Sequence, residues 1–305
     1  MRPMISLILK MNFNSSSLQP LRRLQKICVA IPASLISDTP HLREKTFKVG
    51  LVGRALAIFR VDEVAIYPDQ PKIDQSRDLN FIATILSYME TPQYLRKRLF
   101  GIMPELRYAG ILPPLRTPHH PTQSSMRNLR VGEFREGVVV SEARDGVLAD
   151  IGVERPILVL GARVPAGKRI TVKVTSTGEE PKAILSSRDE IPIYWGYNVK
   201  VSNFPLGKMI REEAFDLVIA TSRRGEQIMR VKDAILERWK RSRRVLIAFG
   251  SPTQGLYEIV RQEGIELDNL ADFVINTIPK QAAETVRTEE ALYATLAIFN
   301  IMTED

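Results

Sequence analysis

The stretch VINTIPKQAAETVRTEEALYATLAIFN, Val274 to Asn300, begins like a buried strand and ends like a helix. Its first residues are β-branched, and its last residues repeat apolar side chains at helical spacing. Between these two parts lie a proline, a lysine, two threonines, an arginine and two adjacent glutamates. A strand-to-helix connection needs only a few residues. The polar content of this segment therefore makes it a candidate binding loop.

The same order of strand, polar loop and helix occurs elsewhere in the chain. It appears in FDLVIATS with a helix predicted at Glu226 to Arg238, and again in RVLIAFGSPTQGLYEIV. Near the other end, KICVAIPASLI and EVAIYPD are predicted strands that flank a helix at Val49 to Phe59. Strands that alternate with helices predict an α/β fold with a mostly parallel sheet.

A different pattern interrupts this α/β sequence. A segment punctuated by prolines is followed by short β-rich runs separated by Gly, Asp-Gly and Pro turns. Five such strands are typical of a small OB-like barrel. We therefore predict an N-terminal extension at 1–25, the first part of the α/β domain at 26–126, an inserted barrel at 127–202 and the second part of the α/β domain at 203–305.

Composition restricts the classes of function. The net charge is +8 with 43 Lys and Arg against 35 Asp and Glu, which favours a polyanion partner. No apolar run reaches about 18 residues, so no membrane span is expected. The single cysteine, Cys28, excludes an internal disulfide and favours a reducing compartment, for which we expect the cytoplasm. One cysteine and three histidines disfavour a metal site.

The first residues allow two interpretations. No acidic residue occurs from Met1 to Ser37, and basic residues and serines are frequent there, as in an organellar transit peptide. The alternative is a flexible extension, or a true start at Met11, and we favour this alternative.

Three loops fall at the predicted carboxyl ends of strands, where parallel sheets bind ligands. They read ATSRRG, FGSPTQG and NTIPKQ, and glycine there lets the backbone approach a ligand. Their free backbone groups suit a nucleoside. The chain has no G-x-G-x-x-G fingerprint, no phosphate loop and no G-x-S-x-G motif, which argues against NAD enzymes, NTPases and serine hydrolases.

Longer segments carry a family resemblance. YLRKRLFGIMPELRYAGILPPLRTPHHP with FREGVVV, LVGRALAIFRVDEVAIYPD, LIAFGSPTQGL and NTIPKQAAETVRTEEAL occur in this order. Together they resemble the SPOUT-class RNA methyltransferases, in the branch with an inserted OB-like barrel, from about Lys26 to Asn300. The resemblance implies a C-terminal trefoil knot, S-adenosylmethionine as cofactor with S-adenosylhomocysteine as product, and a homodimer whose cofactor sites lie close to the partner subunit.

The resemblance also implies site residues. Cofactor-binding residues are expected in the three loops: Ala220, Thr221, Ser222, Phe249, Gly250, Ser251, Asn276, Thr277, Ile278, Pro279 and Thr285. The catalytic candidates are Arg54, Arg287, Glu289 and Glu290. With Thr288 as N-cap, the two glutamates would lie in the first helical turn, where they either stabilise the helix or face the sulfonium and the target's proton. Arg287 would bind the target or form a salt bridge, and Arg54 would lie at the site or on an exposed helix face.

RNA contacts are expected from basic residues near aromatic ones, because cations bind phosphate and aromatic rings stack on bases. The candidates are Arg96, Lys97, Arg98, Arg116, His119 and His120, with a second basic cluster around Arg223, Arg224 and 238–244. Tyr194, Trp195 and Tyr197 at the end of the barrel would either bind RNA or belong to a core.

The expected activity follows from these assignments. Cys28 lies in a predicted buried strand, where a thiol is inert, so pyrimidine C5 chemistry is disfavoured. We expect methylation of ribosomal RNA at a base nitrogen, with uridine N3 favoured, or at a ribose 2′-oxygen. The alternative is a non-catalytic RNA-binding or ribosome-assembly factor that retains the fold.

Overall fold

The computed structural model describes residues 20–304. Its centre is a six-stranded sheet with the order β11-β9-β10-β1-β2-β8, in which every neighbouring pair is parallel. The predicted α/β class with a mostly parallel sheet is confirmed. The sheet strands are β1 (Lys26–Pro32), β2 (Glu63–Tyr67), β8 (Asn198–Val201), β9 (Leu217–Gln227), β10 (Arg244–Ala248) and β11 (Phe273–Asn276).

The described residues form seven α-helices. They are α1 (Leu42–Ile58), α2 (Ser76–Glu90), α3 (Gln93–Leu99), α4 (Leu206–Glu212), α5 (Ile228–Arg241), α6 (Leu256–Arg261) and α7 (Thr288–Met302). Apolar residues of α1, α2, α5 and α7 pack on one face of the sheet, and those of α4 and α6 pack on the other. No helix among residues 20–304 is long and apolar enough to cross a bilayer.

Strand β1 shows why the sheet is central. Successive side chains of a strand point to opposite faces. Ile27, Val29 and Ile31 therefore enter one core, while Cys28 and Ala30 enter the other. A strand buried on both faces needs a continuous apolar run, which is what KICVAIP supplies.

The barrel is inserted between β2 and β8 in chain order. It closes in the order β3-β4-β5-β7-β6, with β5 and β7 parallel and the other observed pairs antiparallel. Its strands are β3 (Phe134–Ala143), β4 (Gly146–Asp150), β5 (Ile157–Leu160), β6 (Arg169–Ser176) and β7 (Lys182–Ser186). The predicted insert at 127–202 also contained β8, and this assignment was wrong because β8 pairs with β2 in the parallel sheet.

The predicted extension at 1–25 falls mostly outside the described residues, since 1–19 are not among them. The described part is tied to the rest of the protein. Leu21 forms an antiparallel bridge with Ile193, and the Arg22 guanidinium donates to the Arg188 carbonyl at 2.8 Å. Residues 20–25 therefore belong to the folded protein and are not a free extension.

A buried ion cluster joins the barrel to the sheet domain. Arg169 of β6 donates two hydrogen bonds to the Glu90 carboxylate, of 2.6 and 3.1 Å, at the end of α2. It also donates to Glu136 of β3 at 2.6 Å. The side chains of Glu90 and Glu136 are 5% and 2% exposed. Burial raises the pKa of Glu90, but the attractions of Arg169 and Arg188 and the hydrogen bond from Arg169, with contributions from neighbouring groups, together outweigh it and hold the pKa at about 2.

Aromatic residues complete this junction. The Trp195 indole donates to Glu136 Oε1 at 2.6 Å, while the Tyr194 and Tyr197 hydroxyls donate to backbone carbonyls. All three aromatic side chains are buried, so they belong to a core and do not form an RNA platform. Gly196 lies beside them with φ +82, and a Cβ there would be 2.5 Å from the His119 ring.

Replacing Arg169 with Met should destabilise the protein by about 3–5 kcal/mol, because two buried carboxylates would lose their shared cation. Urea denaturation at pH 7 measures this difference. The matched control is Arg163→Met, since Arg163 is an exposed barrel residue. Equal midpoints for the two variants would show that the cluster does not hold the barrel to the sheet.

Candidate functional site

Strand β9 is interrupted where it passes β11. Ala220 pairs with Val274, but the next pair is Glu226 with Ile275. One residue step on β11 therefore corresponds to six on β9, and the residues between them, 221–225, leave the sheet. The sequence predicted a loop that leads directly to a helix here, whereas the chain returns to the sheet until Gln227. We call residues 221–225 the excursion.

Glycine is required where the excursion rejoins the sheet. A Cβ on Gly225 would lie 2.6–2.8 Å from backbone atoms of Ile275. Backbone atoms cannot move aside as a flexible side chain can, so any larger residue would push β9 and β11 apart. This close approach fixes how the excursion crosses β11.

A cleft of about 510 Å³ opens between the excursion, the loop after β10 and the loop before α7. This volume lies within the range of about 300–1,000 Å³ that is typical of small-molecule sites. Most of the predicted cofactor residues line it: Thr221, Ser222, Phe249, Gly250, Ser251, Asn276, Thr277, Ile278 and Thr285. Ala220, buried within β9, and Pro279 are not part of the lining.

Two walls of the cleft are bonded to each other. The Asn276 side-chain amide donates to the Arg223 carbonyl at 3.0 Å, and its oxygen accepts from the Ile278 N–H at 2.9 Å. The Arg223 guanidinium donates to the Glu284 carbonyl at 2.8 Å. The excursion therefore holds both ends of the loop that follows β11.

Three consecutive carbonyls at and after the end of β10 accept hydrogen bonds from hydroxyls, and those of Phe249 and Gly250 belong to residues that line the cleft. Tyr67 donates to the Phe249 carbonyl at 2.6 Å, and Thr221 donates to Ala248 at 2.9 Å. Thr288 donates to the Gly250 carbonyl at 2.9 Å. A carbonyl oxygen has two lone pairs, so the Phe249 and Gly250 oxygens can each still accept a hydrogen bond from a ligand.

The start of α7 differs from the prediction. Arg287, not Thr288, is the N-cap residue, and its backbone N–H donates to the Glu290 carboxylate at 2.9 Å. Thr288 is the first helical residue and uses its hydroxyl for Gly250 instead. Glu290 therefore caps the helix, which is one of the two roles expected for it.

The other expected catalytic residues do not line this cleft. Glu289 is buried, and its carboxylate lies 3.6 Å from the ammonium of Lys48, which also contacts Asp38 at 2.6 Å. Glu289 faces α1, so its position suits stabilisation of the fold better than contact with a cofactor bound in the cleft of the same chain. The guanidinium of Arg54 donates to the carbonyls of Pro114 and Leu115 at 3.0 and 2.7 Å. The side chain of Arg287 is exposed.

Several expected RNA contacts have structural roles. Arg96 donates to the carbonyls of Thr91 and Met89 and lies over the Tyr88 ring. Arg98 forms a 2.7 Å ion pair with Asp150 of the barrel. Lys97 and Arg116 are exposed, so they stay candidates for RNA contact.

The two adjacent histidines were predicted to contact RNA, and for His119 this was wrong. His119 is 0% exposed, and its Nε2 lies 2.9 Å from the Glu90 carbonyl, which the Nε2 of His120 contacts at 2.7 Å. Burial lowers the pKa of His119, while burial and the neighbouring His119 lower that of His120 to about 3. Both are therefore neutral members of the barrel junction.

Sequence reasoning missed part of the lining. Arg223 and Arg224 were assigned only to a basic RNA-binding cluster, yet both line the cleft. Arg224 also forms an ion pair with Glu258 and stacks over Tyr257 at 4.8 Å. Their position next to the hydroxyl residues of ATSRRG was the available signal. Thr288 was also missed, because it was expected to serve only as a cap.

A cleft of this kind at the carboxyl edge of a parallel sheet is typical of a nucleotide-binding α/β enzyme. Residues 26–299 match the family model described as "Putative RNA methyltransferase". The chain belongs to this family, and it is a methyltransferase.

Named relatives agree with this assignment. The chain is 33% identical to a 28S rRNA (uridine-N(3))-methyltransferase of Mus musculus over 89% of this chain and 75% of the relative. The human protein of the same description is 31% identical over 89% and 77%. An uncharacterized protein of Haloarcula marismortui is 33% identical over 90% of this chain and 98% of its own length.

Methyltransferases of this kind use a cofactor of the S-adenosylmethionine type, and the cleft fits such a molecule. Its carbonyl and hydroxyl groups can bind an amine and ribose hydroxyls. The guanidinium groups of Arg223 and Arg224 at its edge suit a carboxylate.

Gly225→Ala should weaken cofactor binding by at least tenfold and lower the melting temperature, because its Cβ would contact the Ile275 backbone. Calorimetry with S-adenosylmethionine and a thermal melt measure the two effects. Gly110→Ala is the matched control, since a Cβ there meets no atom within 4 Å. Wild-type behaviour of the Gly225 variant would show that the crossing is not tightly constrained.

The junction histidines should make the protein less stable in acid. An unfolded chain protonates His120 below about pH 6.5, whereas the folded protein does so only near pH 3. Acid therefore favours the unfolded chain, and the free energy of unfolding should fall by about 2 kcal/mol between pH 7 and pH 5. His120→Gln should reduce this loss in urea titrations at both pH values, whereas His41→Gln, at the exposed start of α1, should not. An unchanged loss in His120→Gln would contradict the assignment.

Proposed function

We propose that this protein transfers a methyl group from S-adenosylmethionine to N3 of a uridine in ribosomal RNA. The relatives with this activity cover most of the chain, and the observation that carries the proposal is the cleft between the excursion and the loop before α7. The cofactor supplies an electrophilic methyl group. The residues of this chain have to bind the cofactor, exclude water and align the target nitrogen.

Within the cleft, the proposed roles follow from the contacts. The oriented carbonyls of Phe249 and Gly250 would accept hydrogen bonds from the cofactor's amino groups. The Thr221, Ser222 and Thr277 side chains would bind its hydroxyls. Uridine N3 loses a proton during methylation. Of the two candidate bases, Glu289 is buried and Glu290 is exposed, so Glu290 would be the one that the target can reach.

We further propose that the C-terminal part forms the trefoil knot of SPOUT proteins and that the barrel is OB-like. The return of the chain through β9, β11 and α7 around the excursion supports the knot. The barrel order β3-β4-β5-β7-β6 supports the OB-like assignment.

A homodimer also fits the surface. Phe47 and Ile58 of α1 and Ile301 of α7 are 49%, 46% and 76% exposed, and the two helices pack together. Exposed apolar groups on adjacent helices favour burial against another surface. Arg54 lies on α1 between them, so in a dimer it would approach the partner's cleft, which is the role proposed for it.

Thr288→Val should weaken S-adenosylmethionine binding about fivefold to tenfold, because the Gly250 carbonyl would lose the hydroxyl that orients it, at about 1 kcal/mol or more. Calorimetry measures the affinity. Thr303→Val, which removes a comparable hydroxyl at the other end of α7, is the control. Identical affinities would remove Thr288 from the cofactor site. No binding by the wild-type protein would instead favour a non-catalytic RNA-binding factor.

Arg54→Ala should reduce methyl transfer much more than cofactor binding, since its proposed role concerns the target. Single-turnover methylation of ribosomal RNA and calorimetry give the two values. Mass spectrometry of RNA from a deletion strain should show the loss of one 3-methyluridine. A complete set of methyl marks in that strain, or normal turnover by the variant, would contradict the respective proposal.

A further inference from the structure

Left-handed backbone conformations outside glycine are confined to basic residues in the described part of the chain. Arg60, Arg116 and Lys280 have φ values of 56°, 52° and 58°. A Cβ is crowded by the following carbonyl in this conformation, and glycine adopts it most easily. A residue other than glycine at such a position is informative when its side chain has a function there.

For Arg60 the structure supplies a reason. Its guanidinium donates to the Asn300 side chain at 3.1 Å and lies 3.4 Å from the Glu304 carboxylate. Lys280 has no comparable contact: its side chain is exposed and makes no hydrogen bond or ion pair with any residue of 20–304. The fold alone therefore does not explain a lysine at this position.

Lys280 lies at the edge of the cleft. Its neighbours Ile278 and Gln281 both line the cleft, whereas Lys280 itself is exposed beside them. Across the cleft, the excursion carries the exposed residues Arg223 and Arg224. Glu258 is paired with Arg224 and so neutralises only one of these cations. Arg223, Arg224 and Lys280 thus place positive charge on both sides of the mouth. The carboxylates of Glu258 and Glu284 also line the cleft, so the three cations outnumber the anions by one.

A nucleotide whose base enters the cleft leaves its phosphates at this mouth, because the ribose separates base and phosphate by only a few bonds. A lysine ammonium is a compact cation with three donors and binds a phosphate as a point charge. The exposed ammonium of Lys280 stays hydrated in the free protein, so the protein does not bear the cost of a buried, unpaired charge before RNA binds.

We propose that Lys280 binds a phosphate of the RNA strand next to the nucleotide that is methylated. This inference rests on the proposed function, since it places the target base in the cofactor cleft. The competing assignment is that Lys280 binds the carboxylate of the cofactor, and this would appear in cofactor affinity.

The test uses Lys280→Gly in the full chain, because glycine removes the ammonium and suits the left-handed backbone. The probe is a fluorescein-labelled single-stranded oligouridylate, whose affinity is measured by anisotropy over a range of salt concentrations. We expect about fivefold weaker binding at low salt and a salt slope smaller by about 0.7, the value for one phosphate contact on a single strand. The melting temperature should be unchanged or higher, and Lys280→Arg should restore the slope.

Arg211→Gln is the control for the loss of one positive charge. Arg211 is exposed in the last turn of α4, which leads into the start of β9, so it lies toward the opposite edge of the sheet from the cleft. This variant should keep the wild-type salt slope.

An unchanged salt slope in Lys280→Gly would overturn the inference, and a loss of S-adenosylmethionine affinity in calorimetry would assign the side chain to the cofactor instead. The proposed function fails separately, if the wild-type protein binds no S-adenosylmethionine. In that case the salt slope still shows whether Lys280 contacts RNA, so the two failures are distinguishable.

Discussion

The interrupted pairing of β9 with β11 is the constraint on which the site depends. Parallel strands pair residue by residue, yet Ala220 and Glu226 oppose consecutive residues of β11. The chain between them has to leave the sheet, and it forms a wall that an uninterrupted strand could not provide. Gly225 permits this arrangement because only a hydrogen fits against the Ile275 backbone. Without the excursion, the loops at the carboxyl edge of the sheet would lack the hydrogen bonds that join the two walls of the cleft.

Most of the interactions that shape the cleft involve backbone carbonyls. Tyr67, Thr221 and Thr288 come from β2, the excursion and α7, and each donates its hydroxyl to a different carbonyl among Ala248, Phe249 and Gly250. Hydrogen bonds of this kind stabilise a fold only modestly, but they restrict the direction of the remaining lone pairs. The cleft is thus oriented by elements from distant parts of the chain before any ligand binds.

The basic residues divide into structural and available ones. Arg169 is used inside the barrel junction, Arg98 holds the barrel from α3, and Arg54 holds the linker before it. Lys97, Arg116 and Lys280 are exposed. The net charge of +8 therefore does not show where RNA can bind, because many basic side chains are used in internal contacts. The exposed basic residues, including Lys280 at the mouth of the cleft, are the ones available to RNA.

The sequence by itself determined the parallel sheet, the β-rich insert and the three polar loops that line most of the cleft. These features depend on hydrophobic period and turn residues, which are local properties. Only the tertiary structure decided that β8 joins the sheet, that His119 is buried and that Glu289 pairs with Lys48. It also decided that residues 221–225 are left out of the pairing between β9 and β11. Each of these depends on partners far away in the chain, as with Glu90 and Arg169, which are 79 residues apart. A local pattern shows which side chains are polar, but the contact that satisfies a buried charge is set by how the whole chain packs.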